Sequence, residues 1–490
     1  MLVICEVKEI MAVMQAPPRS TAGRLLSTSR FRARVVAALL CLPLALSAQR
    51  AELERHIQRT TLPNGLEIIA VENPGVPLVT IEADVKNGSF TQGPAYEGLS
   101  HLYEHMFFKA NAAYPNPDEF VARASALGAE FNGTTSEERV NYYLTLPADS
   151  IEPGMRFLAA ALINPSFRKD ELDREREVVI GEYDRNESSP FFQFTTAMSK
   201  ALWTTEWSRK NPLGERAVIQ STTPEKMRFI QKRYYIPNNT AIIVSGAVTA
   251  DKAFALAQSI FGGWARGPDP FATDPIPPIP PIPPLTRDTA VIVEQQIGEV
   301  MVMLQWQGPS AVEDPASTYA ADVLSDVLNQ PGSRFQRRLV DSGLFQSIGV
   351  NYYTLNHVGP ITIEGETTPG KLKAALAALR EEIAKLNDPG YFSAEELEAT
   401  KRNRIVGTML GLERSSGFAH QLGFWWAVTG LDYFFGYVDT MAKQTPADLQ
   451  AYAAKYIIGK PHVAGVLLSP GARNALHLAA ADLLDAGAHP

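Results

Sequence analysis

The sequence predicts an α+β protein of two similar α/β-roll domains in tandem, each a mixed or antiparallel sheet flanked by helices, the pair closing as a clam-shell. Three observations carry that prediction. At 490 residues the chain is too long for one compact core. Residues 266–286 hold prolines so densely that helix and central strand are excluded, leaving an extended polyproline spacer between domains. The segments on either side of that spacer repeat each other. Thr223-Pro224-Glu225 opens a helix with a capping threonine and a proline in its first turn, running to Tyr234, and an apolar strand follows at 240–246. Thr445-Pro446-Ala447 opens another such helix, running to Tyr456, and an apolar strand follows at 463–469. Asp170-Glu171-Leu172-Asp173 is echoed by Glu395-Glu396-Leu397-Glu398, with Ser393 and Glu396 placed for a capping box. The step from Thr223 to Thr445 and that from Asp170 to Glu395 are nearly the same. Two echoes at nearly one offset predict duplicated halves, not a short-period solenoid.

Taken in order, residues 1–48 form an address ahead of the fold. Arg24, Arg30, Arg32 and Arg34 precede the apolar run 35–46, and Ser47 and Ala48 follow it. That is the order of a secretory signal, in a run too short to span a bilayer, with Met11 or Met14 as an alternative start. The Arg- and Ser-rich stretch 17–34 keeps a mitochondrial presequence as the rival; the uncharged apolar run favours export, to a bacterial periplasm over a mitochondrial matrix. The two cysteines, Cys5 and Cys41, both fall in this segment, so the mature chain has no disulfide framework, thiolate metal site or cysteine nucleophile. Net charge is −8 and the first fifty residues carry +5, which leaves an acidic body and argues against nucleic acid as the main partner. No stable membrane span is expected in the mature chain.

Residues 49–265 make the N-terminal domain. Strands at 66–71 and 78–85 precede a helix, and a strand at 141–146 follows it. Residues 287–475 make the second domain, with strands at 289–294 and 300–306 before a helix near 315–329, and 476–490 are a tail. The helix of the first domain carries His101, Glu104 and His105. Two imidazoles four residues apart share one helix face beside a carboxylate, the minimum for holding a metal and deprotonating a water on it. A tetrahedral zinc would lack one further protein ligand. The charged helix 171–182 offers several carboxylates. Glu175 and Glu182, seven apart, share a face, Glu177 lies round the helix from it, and spacing alone does not single out Glu182. A solvated face laced with ion pairs is the competing reading of that helix.

The order His-x-x-Glu-His, with the interval from His105 to Glu182, resembles the pitrilysin/insulinase family of inverzincin metallopeptidases. The lead-in Gly98-Leu99-Ser100, the run Phe131-Asn132-Gly133-Thr134-Thr135, and Glu175-Arg176 ahead of Glu182 add to the likeness, which covers residues 55–475. It is nearest the two-domain members, such as mitochondrial processing peptidases and their bacterial relatives. The resemblance implies that His101, His105 and Glu182 bind one Zn²⁺ per chain. It implies that Glu104 is the general base, that Glu175 supports the ligands, and that the reaction is peptide-bond hydrolysis. It also implies that Asn132, Gly133 and Thr134 lie on an edge strand that receives an extended peptide or unfolded polypeptide. In the second half Asp322, Ser325 and Asp326 fall near the histidine positions and Gly407 opposite Glu182, so that half has no metal set and is expected to be inactive.

The family often supplies an Arg and, seven residues later, a Tyr to hold the substrate carbonyl and the oxyanion. Here Arg338 is followed by Phe345. Arg338 alone, Tyr352, Tyr353 or a partner subunit would fill that role, so a homodimer, or a heterodimer with a homologous subunit, stays open. His56, His357, His420, His462, His477 and His489 lack ligand spacing and are expected to be structural or exposed. The aromatic run 424–426 with 433–435 is expected to be core. A non-catalytic, chaperone-like homologue is the remaining alternative, and it predicts damaged ligands where none are seen.

Overall fold

The computed structural model describes residues 55–272, 279–411 and 414–484. The targeting segment 1–48, residues 273–278 of the spacer and the end of the tail from 485 lie outside them.

The first half builds a six-stranded sheet from β1 (Ile57–Thr61), β2 (Glu67–Glu72), β3 (Leu78–Val85), β4 (Glu130–Thr135), β5 (Val140–Pro147) and β6 (Thr240–Gly246), in the order β1-β2-β6-β3-β5-β4. The second half builds a five-stranded sheet from β7 (Thr289–Glu294), β8 (Val300–Gln307), β9 (Ser347–Tyr352), β10 (Pro360–Thr367) and β11 (Val463–Leu468), in the order β7-β11-β8-β10-β9. Apart from the extra edge strand β1, the orders coincide strand for strand. In each sheet one pair is parallel, β2 with β6 and β7 with β11, and the others are antiparallel. The starts of β2 and β7, like those of β3 and β8, are separated by the same step as Thr223 and Thr445. The duplicated α+β architecture is therefore what the chain forms.

Three helices of the first half matter most to the site: α1 (Leu99–Phe107), α2 (Lys169–Glu187) and α3 (Pro190–Trp203). Their counterparts are α4 (Pro315–Asn329), α5 (Ala394–Gly411) and α6 (Ser415–Val428). β6 and β11 are buried along their whole length, which is why they read as unbroken apolar runs instead of alternating ones. One face of each sheet packs on helices of its own half. The other face is covered by a helix from the opposite half, α6 on β3 and β6, and α3 on β7, β8 and β11. Phe418, Leu422 and Trp426 bury against Ile69, Val71 and Ile243, while Phe194, Met198 and Leu202 bury against Met303, Val463 and Leu467. The aromatic run near 424–435 thus contributes to the core between the halves, as expected. Two glycines allow the close approach. A Cβ on Gly465 would run into Met198 and Phe194, and one on Gly423 would run into the carboxylate of Asp84. The hairpin turns also meet: Glu138 accepts the backbone N–H groups of Asn356 and His357, and Lys210 donates to the carbonyls of His357 and Val358.

Local expectations fare unevenly. The Ser393–Glu396 box is present, each residue's side chain accepting the other's backbone N–H at 3.2 Å. Thr445 also caps its helix, in a box with Asp448. Thr223 sits at the N-cap but makes no capping hydrogen bond. The tail expected from 476 instead inserts Leu478 and Leu483 into the second core.

Candidate metal centre

α1 starts at Gly98, whose φ of 86° places it in the left-handed region. A side chain there would strike the backbone of Gly214, so two glycines let the helix start press against the 211–214 loop. Leu99, Leu102, Met106 and Phe107 bury one side of α1, and Tyr103 and Phe107 stack on Tyr235 and Tyr142. That anchoring turns His101, Glu104 and His105 toward α2. On α2, Leu172, Val179 and Ile180 face the core, which leaves Glu175 and Glu182 directed at α1 and Glu177 exposed.

The facing helices bring three donor atoms together. His101 Nε2 and His105 Nε2 are 3.3 Å apart, and Glu182 Oε2 lies 3.5 Å from the first and 3.6 Å from the second. Ligands about 2.0–2.1 Å from a tetrahedral zinc stand about 3.3–3.4 Å from one another, so this triangle fits that ion. Among the described residues it is also the one group of three or more His, Cys, Asp or Glu side chains with donor atoms that close.

Electrostatics agree with a site built for a cation. Burial, then the positive charge on His105, holds His101 down at about 3, so it stands neutral and ready to ligate. Burial opposes charge on His105, but hydrogen bonds to Glu175 and Glu182 outweigh it and raise His105 to about 9. A proton on His105 thus supplies positive charge that an incoming metal must displace. Glu104 is almost fully buried and pushed up to about 7 by that burial, against the pull of His105 and Thr135. Its Oε2 accepts the Thr135 hydroxyl at 2.6 Å. Glu175 bridges His105 Nδ1 at 3.4 Å and the Lys109 ammonium at 2.8 Å, and these partners hold it below the usual carboxylate range despite its burial.

The remaining expected residues divide. Asn132, Gly133 and Thr134 lie on β4, the edge of the first sheet. Gly133 sits where α1 crosses β4: a Cβ there would be 3.0 Å from the Glu104 side chain and 3.2 Å from the Phe108 ring. Its N–H donates to the Asn132 side chain at 2.9 Å, and the Thr134 hydroxyl turns to Asn141 on the opposite sheet face from Thr135. Arg338 lies in a π-helical turn of the second half and pairs with Glu381 at 3.5 Å. Phe345 is buried in the second core, Tyr352 donates to the Pro309 carbonyl, and Tyr353 faces Ser136 and Glu137 in the β4–β5 turn. None of these contacts joins them to the histidines. His357, His420 and His462 are structural, paired with Glu138, Glu82 and Asp288.

Sequence reasoning missed Thr135 and Lys109. The signals were present: Thr135 alternates with Thr134 onto the α1 face of its strand, and Lys109 follows His105 by four residues.

In the second half, α4 and α5 face each other as α1 and α2 do. Asp322 and Asp326 stand there, but Ser325 bonds back to the Ala321 carbonyl. Arg404 on α5 grips both oxygens of Asp326 and donates to the Tyr437 hydroxyl, which donates to Asp322 at 2.6 Å.

Comparison with known proteins extends the picture. Residues 67–215 match the family model described as Insulinase (Peptidase family M16), and 221–404 match the Peptidase M16 inactive domain. The second match begins ahead of β6, a central strand of the first sheet, so the boundary between matches differs from the boundary between sheets. The uncharacterized zinc protease YmxG of Bacillus subtilis is 27% identical over 363 residues, covering 74% of this chain and 85% of its own length. The uncharacterized zinc protease ML0855 of Mycobacterium leprae is 24% identical, covering 76% and 83%. Among solved structures, a protease from Helicobacter pylori superposes with a TM-score of 0.74 at 22% identity, over 84% of this chain and 99% of its own. The first half of the periplasmic protease PqqL from Escherichia coli gives 0.72 at 18% identity, over 87% and 95%. At such identities the structural likeness is one of fold.

Proposed function

Because the chain belongs to the insulinase family, peptidase family M16, we propose that it is a zinc-dependent endopeptidase that hydrolyses peptides or unstructured polypeptide segments. The observation that carries this reading is the 3.3–3.6 Å triangle of His101, His105 and Glu182 with the buried carboxylate of Glu104 beside it. These three side chains would hold one zinc ion. When bound, zinc supplies a Lewis acid for the scissile carbonyl and lowers the pKa of an attacking water.

The chain's own groups supply the rest. Glu104 takes the proton from the attacking water and returns it to the leaving amine, and its burial, which disfavours the charged form, strengthens it as a base for that transfer. The Thr135 hydroxyl occupies Glu104 Oε2 and so leaves Oε1 as the working oxygen. β4, an edge strand, receives an extended peptide by backbone pairing at Asn132, Gly133 and Thr134, which selects unfolded substrates and tolerates varied side chains. Glu175 fixes the His105 ring. The N-terminal segment would export the chain, to a periplasm in a bacterial host.

A second reading is favoured by the oxyanion side. Arg338 is tied to Glu381, and Phe345 has no hydroxyl and is buried, so a second chain, identical or homologous, would complete that wall. Metal analysis of the purified protein, a peptide-library digest with wild type and Glu104→Gln, and the native mass test both readings. The endopeptidase reading expects one zinc per chain in both proteins and cleavage by wild type alone. Cleavage at wild-type rate by Glu104→Gln would sink it. Cleavage only on addition of a homologous chain would select the second reading.

A further inference from the structure

Lys109 lies just past the C-terminal end of α1, where its N–H bonds to the Met106 carbonyl at 3.3 Å and where the helix dipole favours a cation. Its side chain reaches across to α2, with Nζ 2.8 Å from Glu175 Oε1. The other oxygen of the same carboxylate, Oε2, is 3.4 Å from His105 Nδ1. Glu175 is nearly buried on α2, so its two oxygens are divided between an ammonium and an imidazole, both from the α1 segment.

We propose that Lys109 is a positioning residue for the metal centre: by occupying one oxygen of Glu175 it holds the other on His105 Nδ1, and so aims His105 Nε2 at the point shared with His101 and Glu182. The reason is geometric first. A carboxylate with one partner can rotate about its terminal torsion, whereas one held at both oxygens by groups from a single segment cannot. The bond at Nδ1 thereby fixes the ring so that Nε2 is the nitrogen turned to the shared point. Charge adds to it. Glu175 and Glu182 bring negative charge up to the buried Glu104, and the ammonium offsets part of it at Glu175. The competing account is a partly exposed ion pair that only tacks the end of α1 to α2. It predicts no effect on the metal beyond a small loss of stability.

The inference rests on the zinc reading above, and the experiment separates the two. Metal-free protein is titrated with zinc against a chromophoric chelator, for wild type, Lys109→Met, Lys109→Arg, Glu175→Gln and the double variant Lys109→Met/Glu175→Gln. Thermal melting of each metal-free protein serves as the folding control. The expected result is an affinity loss of about 10- to 100-fold in Lys109→Met, the range for removing a group behind a ligand. Lys109→Arg should restore most of it. In the Glu175→Gln background the lysine change should add little, because the path through Glu175 is already broken. Wild-type zinc affinity in a folded Lys109→Met, or the same loss with and without Glu175, would overturn the proposal while leaving the zinc reading intact. Should Lys109→Met melt early, Lys109→Gln is read in its place by the same criteria. Absence of tight zinc binding in wild type itself would overturn both.

Discussion

The two halves of this molecule place the same pair of helices over the same sheet and resolve the same electrostatic problem in opposite ways. In the first half, α1 and α2 turn two imidazoles and several carboxylates toward one another and leave no fixed cation at their centre; Lys109 sits at the rim. In the second, α4 and α5 enclose Asp322 and Asp326 around Arg404, whose guanidinium is braced by Tyr437. A cation is built into one half, whereas the other turns two imidazoles and a carboxylate toward one shared point. The fold supplies a polar recess between two helices, and a few side chains decide whether it is a binding site or a buried ion pair.

The comparison can be broken most sharply at Glu104. Glu104→Gln should lower peptide hydrolysis by about 10²- to 10⁴-fold while zinc content stays at the wild-type level, checked by initial rates and metal analysis. In the second half, Arg404→Met should leave the buried Asp322 and the half-buried Asp326 without their cation and cost about 3 kcal/mol in denaturant unfolding, with zinc affinity unchanged. A zinc loss comparable to that of a ligand variant would mean that the halves are not separable in this way. The reciprocal helices give a finer contrast. Gly423→Ala drives a methyl into the Asp84 carboxylate, which Arg139 holds in place at 3.3 Å, and should cost about 2–3 kcal/mol. Gly465→Ala meets chiefly the flexible end of Met198 and should cost about 1–2 kcal/mol, so equal losses would deny that side-chain mobility sets the penalty. Smallest is the pair of caps. Thr445→Ala should cost about 1 kcal/mol and Thr223→Ala a few tenths, about 0.5 kcal/mol at most, since only Thr445 bonds its helix end.

Much of this is legible in the chain itself. The offset between Thr223 and Thr445 recovered the equivalence of β2 with β7 and β3 with β8, and the helix 315–329 was placed at its observed ends. The spacing of His101, Glu104 and His105 put the three on one helix because a helix brings residues three and four apart onto one face. Glu182 was different. Spacing left it level with Glu175, and family resemblance alone singled it out. Spacing could not do so because both carboxylates share a face: the choice depends on where along the α2 axis the histidines of α1 meet it, and that is set by Leu172, Val179 and Ile180 entering a core assembled from distant strands. Thr135 and Lys109 were overlooked because their partners, Glu104 and Glu175, lie on other elements far along the chain.

The sequence by itself thus determined the repeat, the elements and the helix that carries the histidines, since these follow from local backbone periodicity and from caps and breakers a few residues apart. Tertiary structure decided which carboxylate closes the triangle with both imidazoles, that each half lends a helix to the sheet of the other, and that Arg404 stands where the first half gathers His101, His105 and Glu182. Those outcomes turn on which faces can pack together without voids or unpaired charge, and that is a property of the assembled core.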